Sequence, residues 1–99
     1  MVTATWNGQQ IASSDKTIYI EGNHYFPPEA VDMNFLNETD MHTTCHWKGE
    51  ASYFDITVDG KTNPNAAFRY REPKPTSIEI VKGDYTDWIA FWQGVEVSA

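Results

Sequence analysis

The 99-residue sequence predicts a single all-β domain, mainly antiparallel, that spans residues 1–99. Leucine, a strong helix former, occurs once, at Leu36, whereas isoleucine, valine, threonine and aromatic residues are abundant. β-Branched and aromatic side chains suit a pleated, half-buried surface. Asn7-Gly8 and Asp59-Gly60 are typical of tight hairpin turns, and turn residues recur every ten residues or so. We therefore expect a small twisted sheet or barrel with at most short helical turns.

Alternating apolar and polar side chains predict the strands of the amino-terminal half. Val2–Trp6 alternates up to the turn at Asn7-Gly8, and Ile18–Ile20 alternates in a later strand. Residues 28–32 are predicted to form one helical turn, because proline suits the first helical position. The polar residues 37–40 predict a turn between strands.

The carboxyl-terminal half contains the clearest strand signal, at residues 52–58, where every second side chain is large and apolar. Residues 41–47 predict the strand before it, and residues 63–65 predict an extension of the loop after it. Residues 78–80 predict a short element of undefined type. Residues 88–92 are all apolar, which indicates a strand buried on both faces.

The charge balance and the distribution of apolar residues exclude several classes of protein. Fourteen acidic residues against seven basic ones give a net charge of −7, without the basic cluster of a nucleic-acid or anionic-membrane binder. No apolar run is long enough to span a bilayer, and the first ten residues lack the features of a signal peptide, so we expect a cytoplasmic protein. The oligomeric state is left open.

Metal and cofactor sites are not predicted. The single cysteine, Cys45, excludes an internal disulfide and a zinc site with several cysteines. His42 and His46 are four residues apart, which on a strand separates them by roughly 13 Å, too far to share one ion. No Gly-rich phosphate loop is present, and we expect no cofactor.

Chemistry-bearing residues are crowded into residues 41–53. Cys45 is either a nucleophile or redox thiol, or a small packing residue beside Trp47. Lys48 is either a point charge for a carboxylate or phosphate, or a solvated surface lysine. Gly49 permits a left-handed turn and lets a ligand approach the backbone. The segment ends at Tyr53, the last of these candidate side chains.

A second candidate loop lies at a strand end, where a carboxylate, an amide and a phenol flank a glycine. These residues are Glu21, Asn23 and Tyr25 around Gly22, and both functional loops and ordinary turns have such a composition. Arg69 and Arg71 share one strand face, where we expect them to pair with Asp55 or Glu72 rather than to bind a ligand.

Five segments resemble, in order, the motifs of the domain of unknown function 427 family. They are residues 21–27 (EGNHYFP), 45–53 (CHWKGEASY), 66–73 (AAFRYREP), 89–91 (IAF) and 95–97 (VEV).

This resemblance covers essentially the whole chain. It implies a β-tent type of fold, in a family found in bacteria, cyanobacteria and fungi. Some proteins of that fold group carry Cys-rich zinc sites, which this chain lacks, and others bind small molecules in an aromatic cleft. The family's loose nucleotidyltransferase-like label implies paired metal-binding carboxylates, which the sequence does not show. Two departures stand out: His46 occupies a position where the family usually has proline, and residues 81–87 are longer than usual.

The leading hypothesis is a domain that binds a small ligand in a polar and aromatic pocket, with an anionic group of the ligand at Lys48. The first alternative is a protein-interaction module without catalytic activity, and the second is a Cys45-dependent enzyme. The predicted ligand-binding residues are Glu21, Asn23, Tyr25, Cys45, Trp47, Lys48, Gly49 and Tyr53.

Overall fold

Antiparallel strands account for most of the chain in the computed structural model, which describes residues 1–99. The strands are β1 (Val2–Trp6), β2 (Gln9–Ser14), β3 (Ile18–Ile20), β4 (Asn23–Tyr25), β5 (Leu36–Cys45), β6 (Gly49–Val58), β7 (Lys61–Tyr70), β8 (Ile89–Phe91) and β9 (Glu96–Ser98). Two 3-10 turns, Pro28–Ala30 and Met33–Phe35, precede β5, and one α-helix, α1 (Pro75–Val81), follows β7.

The strands form three sheets, with the orders β2-β1-β9, β3-β4 and β5-β6-β7-β8. All pairings are antiparallel, and the predicted all-β class with short helical elements is confirmed. Isolated bridges, Ala12 to Val31 and Phe26 to Ile89, join parts of the chain outside these ladders. The sheets stay open and do not close into a barrel. No helix is long and apolar enough to cross a membrane.

Three two-residue hairpins connect neighbouring strands. Asn7-Gly8 and Asp59-Gly60 have positive φ at both positions, as the predicted type I′ turns require. Glu21-Gly22 has the same pattern, with φ of 50° and 87°, and joins β3 to β4. The third hairpin places a carboxylate at the tip of a tight turn.

Two predicted turns are wrong, because strand pairing overrides their polar composition. Residues 37–40 belong to β5, where Asn37 and Glu38 pair with β6 and an irregularity follows Glu38. Strand β5 is an outer strand of its sheet, and most of its polar side chains are exposed to solvent. Residues 63–65 belong to β7, where an irregular register accommodates Pro64, which has no N–H to donate.

The four-stranded sheet separates two hydrophobic clusters. Phe54, Ile56 and Val58 of β6 face the first cluster, as predicted from their alternation. Ala51 and Tyr53, on the opposite face of β6, belong to the second. Strand β8 is shorter than predicted, but its residues face both clusters and all three are buried. The second cluster surrounds the candidate site.

Residues 78–80, the element of undefined type, lie in α1. Pro75 stands at the start of the helix, and Lys82 ends it in a left-handed conformation with φ of 62°. The buried side of α1 is small and polar at Ser77, whose hydroxyl donates to the Lys74 carbonyl at 2.6 Å. This helix forms part of the wall of the second cluster through Ile78 and Val81.

Candidate functional site

The turn between β5 and β6 carries Lys48 and is held by the segment that precedes α1. The Lys48 carbonyl accepts the Lys74 backbone N–H at 2.9 Å, and Lys74 Nζ donates to the His46 carbonyl at 2.7 Å. Gly49 follows with φ of 114°, and a Cβ there would lie 3.3 Å from the Glu72 carbonyl oxygen. Glycine is therefore required by both the backbone conformation and the close approach of the neighbouring chain.

The Lys48 side chain is buried, with 8% of its surface exposed. Its Nζ donates to Glu21 Oε1 at 2.6 Å and lies 5.1 Å from the ring centroid of Tyr70 and 5.5 Å from that of Trp47. Of the two alternatives for Lys48, the solvated surface lysine is wrong: its ammonium is a buried charge with one carboxylate partner and two aromatic neighbours.

The ion pair shifts the pKa values of both partners in the direction that keeps both charged. Burial alone would lower the pKa of Lys48, but the hydrogen bond to Glu21 and the nearby phenol groups raise it well above its ordinary value. The hydrogen bond from Lys48 lowers the pKa of Glu21, against an opposing effect of burial. At neutral pH the pair is therefore an ammonium and a carboxylate.

Three buried tyrosines stand next to this pair. Tyr25, Tyr70 and Tyr85 have ring centroids 5.8 to 6.4 Å apart. Burial raises the pKa of all three phenols, and the charge of Lys48 only partly opposes the rise. The Tyr85 hydroxyl shares a 2.7 Å hydrogen bond with Ser77, whereas the fully buried Tyr25 hydroxyl has no partner. Tyr25 is thus a neutral phenol with an unused O–H beside a buried cation.

The structure brings together four predicted site residues: Glu21 and Tyr25 from the β3–β4 hairpin, and Trp47 and Lys48 from the β5–β6 turn. Contact between these two sequence-distant segments is what the leading hypothesis requires. Gly49 shapes the turn rather than contributing a group.

The side chains of the remaining predicted residues, Asn23, Cys45 and Tyr53, do not hydrogen-bond to the Lys48–Glu21 ion pair. Asn23 is half-buried in β4 and pairs with Ile20, with no side-chain hydrogen bond to the ion pair. Cys45 is half-buried opposite Gly49 and packs against the cluster without a side-chain hydrogen bond. Tyr53 belongs to the second hydrophobic cluster, but its hydroxyl shares a 2.8 Å hydrogen bond with the Thr43 hydroxyl.

Sequence reasoning missed Tyr70, Tyr85 and Ser77 as parts of this environment. Tyr70 did carry a signal, because in the sequence it alternates with Arg69 and Arg71, which predicts a strand with Tyr70 on the apolar face. Tyr85 lies in a turn-like segment and Ser77 in a short polar stretch, and neither pattern predicts a fully buried side chain. Their burial depends on α1 covering the cluster.

The chain also has an open groove of about 630 Å³, with no apolar side chain in its lining. Ser52 lines it and alternates along β6 with Ala51 and Tyr53, so the groove lies on the face opposite the tyrosine cluster. Gly49 is the only predicted site residue in its lining. The lining residues are Glu38, His42, Gly49, Glu50, Ser52, Arg71, Glu72, Lys74 and Asp87.

The arginines at this groove do not pair with Asp55 or Glu72 as expected. Arg69 Nη2 donates to Glu38 at 3.2 Å, and the Nε atoms of Arg69 and Arg71 lie 4.0 and 3.9 Å from Asp87 Oδ1. Asp55 instead accepts the backbone N–H of Asn65. The β7 alternation placed both arginines correctly on one face, but the partner depends on the left-handed Asp87 in the segment before β8.

No group of three or more His, Cys, Asp and Glu side chains is arranged to hold a metal ion. His42 Nδ1 lies 3.5 Å from the Ser52 hydroxyl and 3.7 Å from Glu50. These contacts are typical of a polar surface strand.

Fold and site together define a small antiparallel β domain in which a buried ammonium, covered by one carboxylate, lies against a tyrosine-rich cluster. The family model described as Domain of unknown function (DUF427) matches residues 1–98, and the chain belongs to that family. This confirms the resemblance carried by the five sequence motifs. No curated protein matches the chain.

Proposed function

We propose that this domain binds a small ligand whose anionic group is held by Lys48, in a site built from the β3–β4 hairpin and the β5–β6 turn. One observation carries the proposal: a buried ammonium has as its only ion-pair partner a carboxylate that is 55% exposed. Burying an ammonium costs free energy, and here the only charge that compensates this cost is a carboxylate that water reaches. An ammonium that is covered by a single, partly exposed carboxylate is suited to bind an anion from solution.

The protonation state of Lys48 favours ligand binding over covalent chemistry. A lysine nucleophile or general base must lose its proton, and such lysines have a lowered pKa. Here the pKa of Lys48 is raised by the hydrogen bond to Glu21 and by the phenols, after the opposing effect of burial. The ammonium therefore stays charged and supplies electrostatic attraction.

The neighbouring side chains define what else the ligand contacts. Trp47 is half-buried beside the ammonium and offers an apolar surface, and the unpaired Tyr25 hydroxyl offers a neutral donor. Asn23, two residues from Glu21 across the hairpin turn, offers an amide. This combination suits a small molecule with an anionic end and a flat apolar body.

The second candidate is a protein-interaction module without catalytic activity. It is favoured by large apolar side chains that stand in solvent: Tyr19, Met33, Met41, Ile80 and Trp92. A net charge of −7 would steer such a module toward a basic partner. The third candidate, a Cys45-dependent enzyme, has less support, because no side-chain hydrogen bond joins Cys45 to a base.

A thermal-shift screen against a metabolite library tests the leading proposal. A ligand at one hundred times its Kd adds about 2.7 kcal/mol of stability. Calorimetric titration of the best hit should then give an affinity at least thirtyfold weaker for Lys48→Met, about 2 kcal/mol. Lys61→Met, an exposed lysine at the start of β7, is the matched control and should bind like wild type. Hits that bind Lys48→Met as tightly as wild type would refute the proposal.

A further inference from the structure

The carboxylate that covers Lys48 is in the position that an anionic ligand would take. Glu21 Oε1 lies 2.6 Å from Nζ, a short charge-assisted hydrogen bond of the kind a ligand carboxylate makes. The two partners differ in exposure, with 8% of the Lys48 side chain and 55% of the Glu21 side chain reached by solvent. The site is therefore already shaped for one carboxylate, and that carboxylate approaches from the solvent side.

The backbone that carries Glu21 leaves this approach open. Glu21 and Gly22 form the two-residue turn between β3 and β4, and a Cβ on Gly22 would meet no atom within 4 Å. Lys48 is the only ion-pair partner of Glu21. A rotation of the Glu21 side chain into solvent breaks this ion pair and leaves the hairpin pairing in place, because β3 and β4 are paired through their backbones.

We propose that Glu21 is a built-in competitor at this site and that the ligand is a small monocarboxylate, which displaces the Glu21 carboxylate from Lys48. This inference rests on the function proposed above. A single ammonium balances a single negative charge, and burial keeps the neighbouring Tyr25 and Tyr70 as neutral phenols that add no charge of their own. A dianion such as phosphate would leave a negative charge uncompensated beside aromatic rings in an acidic protein.

Titration of defined probes into wild type and Glu21→Gln tests this inference. The probes are acetate, benzoate and inorganic phosphate at constant ionic strength and pH 7, followed by amide chemical shifts. Acetate and benzoate should bind Glu21→Gln at least tenfold more tightly than wild type, because the internal competitor has lost its charge; tenfold corresponds to about 1.4 kcal/mol. The gain should be abolished when Lys48→Met is added to Glu21→Gln.

Two further variants keep the test decisive. Glu79→Gln removes one negative charge from an exposed position on α1 and should bind the probes like wild type. Glu21→Asp keeps the charge on a side chain one methylene shorter, so its affinity for benzoate should lie between wild type and Glu21→Gln. If Glu21→Gln fails to fold, the comparison of Glu21→Asp with wild type carries the test.

The possible outcomes separate this inference from the proposed function. Equal carboxylate affinity in wild type and Glu21→Gln, both lost with Lys48→Met, would overturn the competitor role while the Lys48 anion site stands. Tighter binding of phosphate than of benzoate to Glu21→Gln would overturn the monocarboxylate class. If no probe binds any variant, the monocarboxylate inference is refuted. If in addition no anionic metabolite depends on Lys48 for binding, the proposed function is refuted as well.

Discussion

Glu21→Gln is expected to destabilise the protein more than Lys48→Met, although each change removes the same ion pair. The reason is the unequal burial of the partners, 55% exposed for the Glu21 side chain and 8% for that of Lys48. Removing Glu21 leaves an uncompensated ammonium among aromatic rings, whereas removing Lys48 leaves a carboxylate that water can solvate.

The magnitudes follow from the same asymmetry. Breaking a fully buried pair costs about 3–5 kcal/mol when one charge is left unpaired. Because water reaches the Glu21 side of this pair, we reduce the expectation for Glu21→Gln to about 2 kcal/mol. Methionine matches the length of the Lys48 stem and needs no desolvation of a charge, so Lys48→Met should change the free energy of unfolding by no more than about 1 kcal/mol.

Urea unfolding of wild type, both single variants and the double variant measures these values and their coupling. The double variant should resemble Lys48→Met, because the charge that Glu21 compensates is no longer present. Glu79→Gln and Lys61→Met are exposed controls for the change in net charge and should stay within about 0.5 kcal/mol of wild type. A Glu21→Gln variant as stable as wild type, or a larger loss for Lys48→Met, would refute the reasoning.

Acid titration gives an independent check. The hydrogen bond from Lys48 lowers the pKa of Glu21 below its ordinary value of 4.5. A carboxyl whose pKa is depressed by folding contributes stability above its unfolded value and loses it as the pH falls through its folded value. The gap in stability between wild type and Glu21→Gln should therefore be complete at pH 7 and narrow below about pH 4.5. A gap that persists unchanged at acid pH would contradict the ionic origin.

Three other changes test the surroundings of the site by denaturant unfolding. Gly49→Ala should lower the free energy of unfolding by about 3 kcal/mol, because φ is 114° and the new Cβ would lie 3.3 Å from a carbonyl oxygen. The control Gly60→Ala, whose Cβ would meet no atom within 4 Å, should lower it by about 1 kcal/mol. Equal losses would count against a specific role of Gly49. Ser77→Ala leaves the buried Tyr85 hydroxyl without its 2.7 Å hydrogen-bond partner and should destabilise the protein by about 1–3 kcal/mol. Adding Tyr85→Phe to Ser77→Ala should restore most of this stability, and a failure to restore it would contradict this explanation. Cys45→Ala should destabilise the protein by about 1 kcal/mol through lost packing. The Cys45 thiol should be alkylated faster in denaturant than in the folded protein. Fast alkylation of the folded protein at pH 7 would instead favour the nucleophile hypothesis.

The candidate site was predictable to the extent that its components are local. Glu21, Tyr25, Trp47 and Lys48 lie in two short segments, each with a glycine at a turn, and the sequence indicated both segments as candidates. It left open whether Lys48 is solvated, because the carboxylate that pairs with it is 27 residues away in the chain. Two of the three tyrosines around the pair, Tyr70 and Tyr85, come from two further segments, and α1 packs against their cluster through Ile78 and Val81.

The sequence by itself determined the fold class, two of the three hairpin turns and one of the two buried faces of β6. These features depend on neighbouring residues: glycine permits positive φ in the turns, and alternation places Phe54, Ile56 and Val58 on one face. Only the tertiary structure decided that polar residues 37–40 and 63–65 lie within strands and that Lys48 is buried under Glu21. These outcomes depend on which distant backbone supplies hydrogen bonds and which distant side chains exclude water, and a local pattern does not encode either.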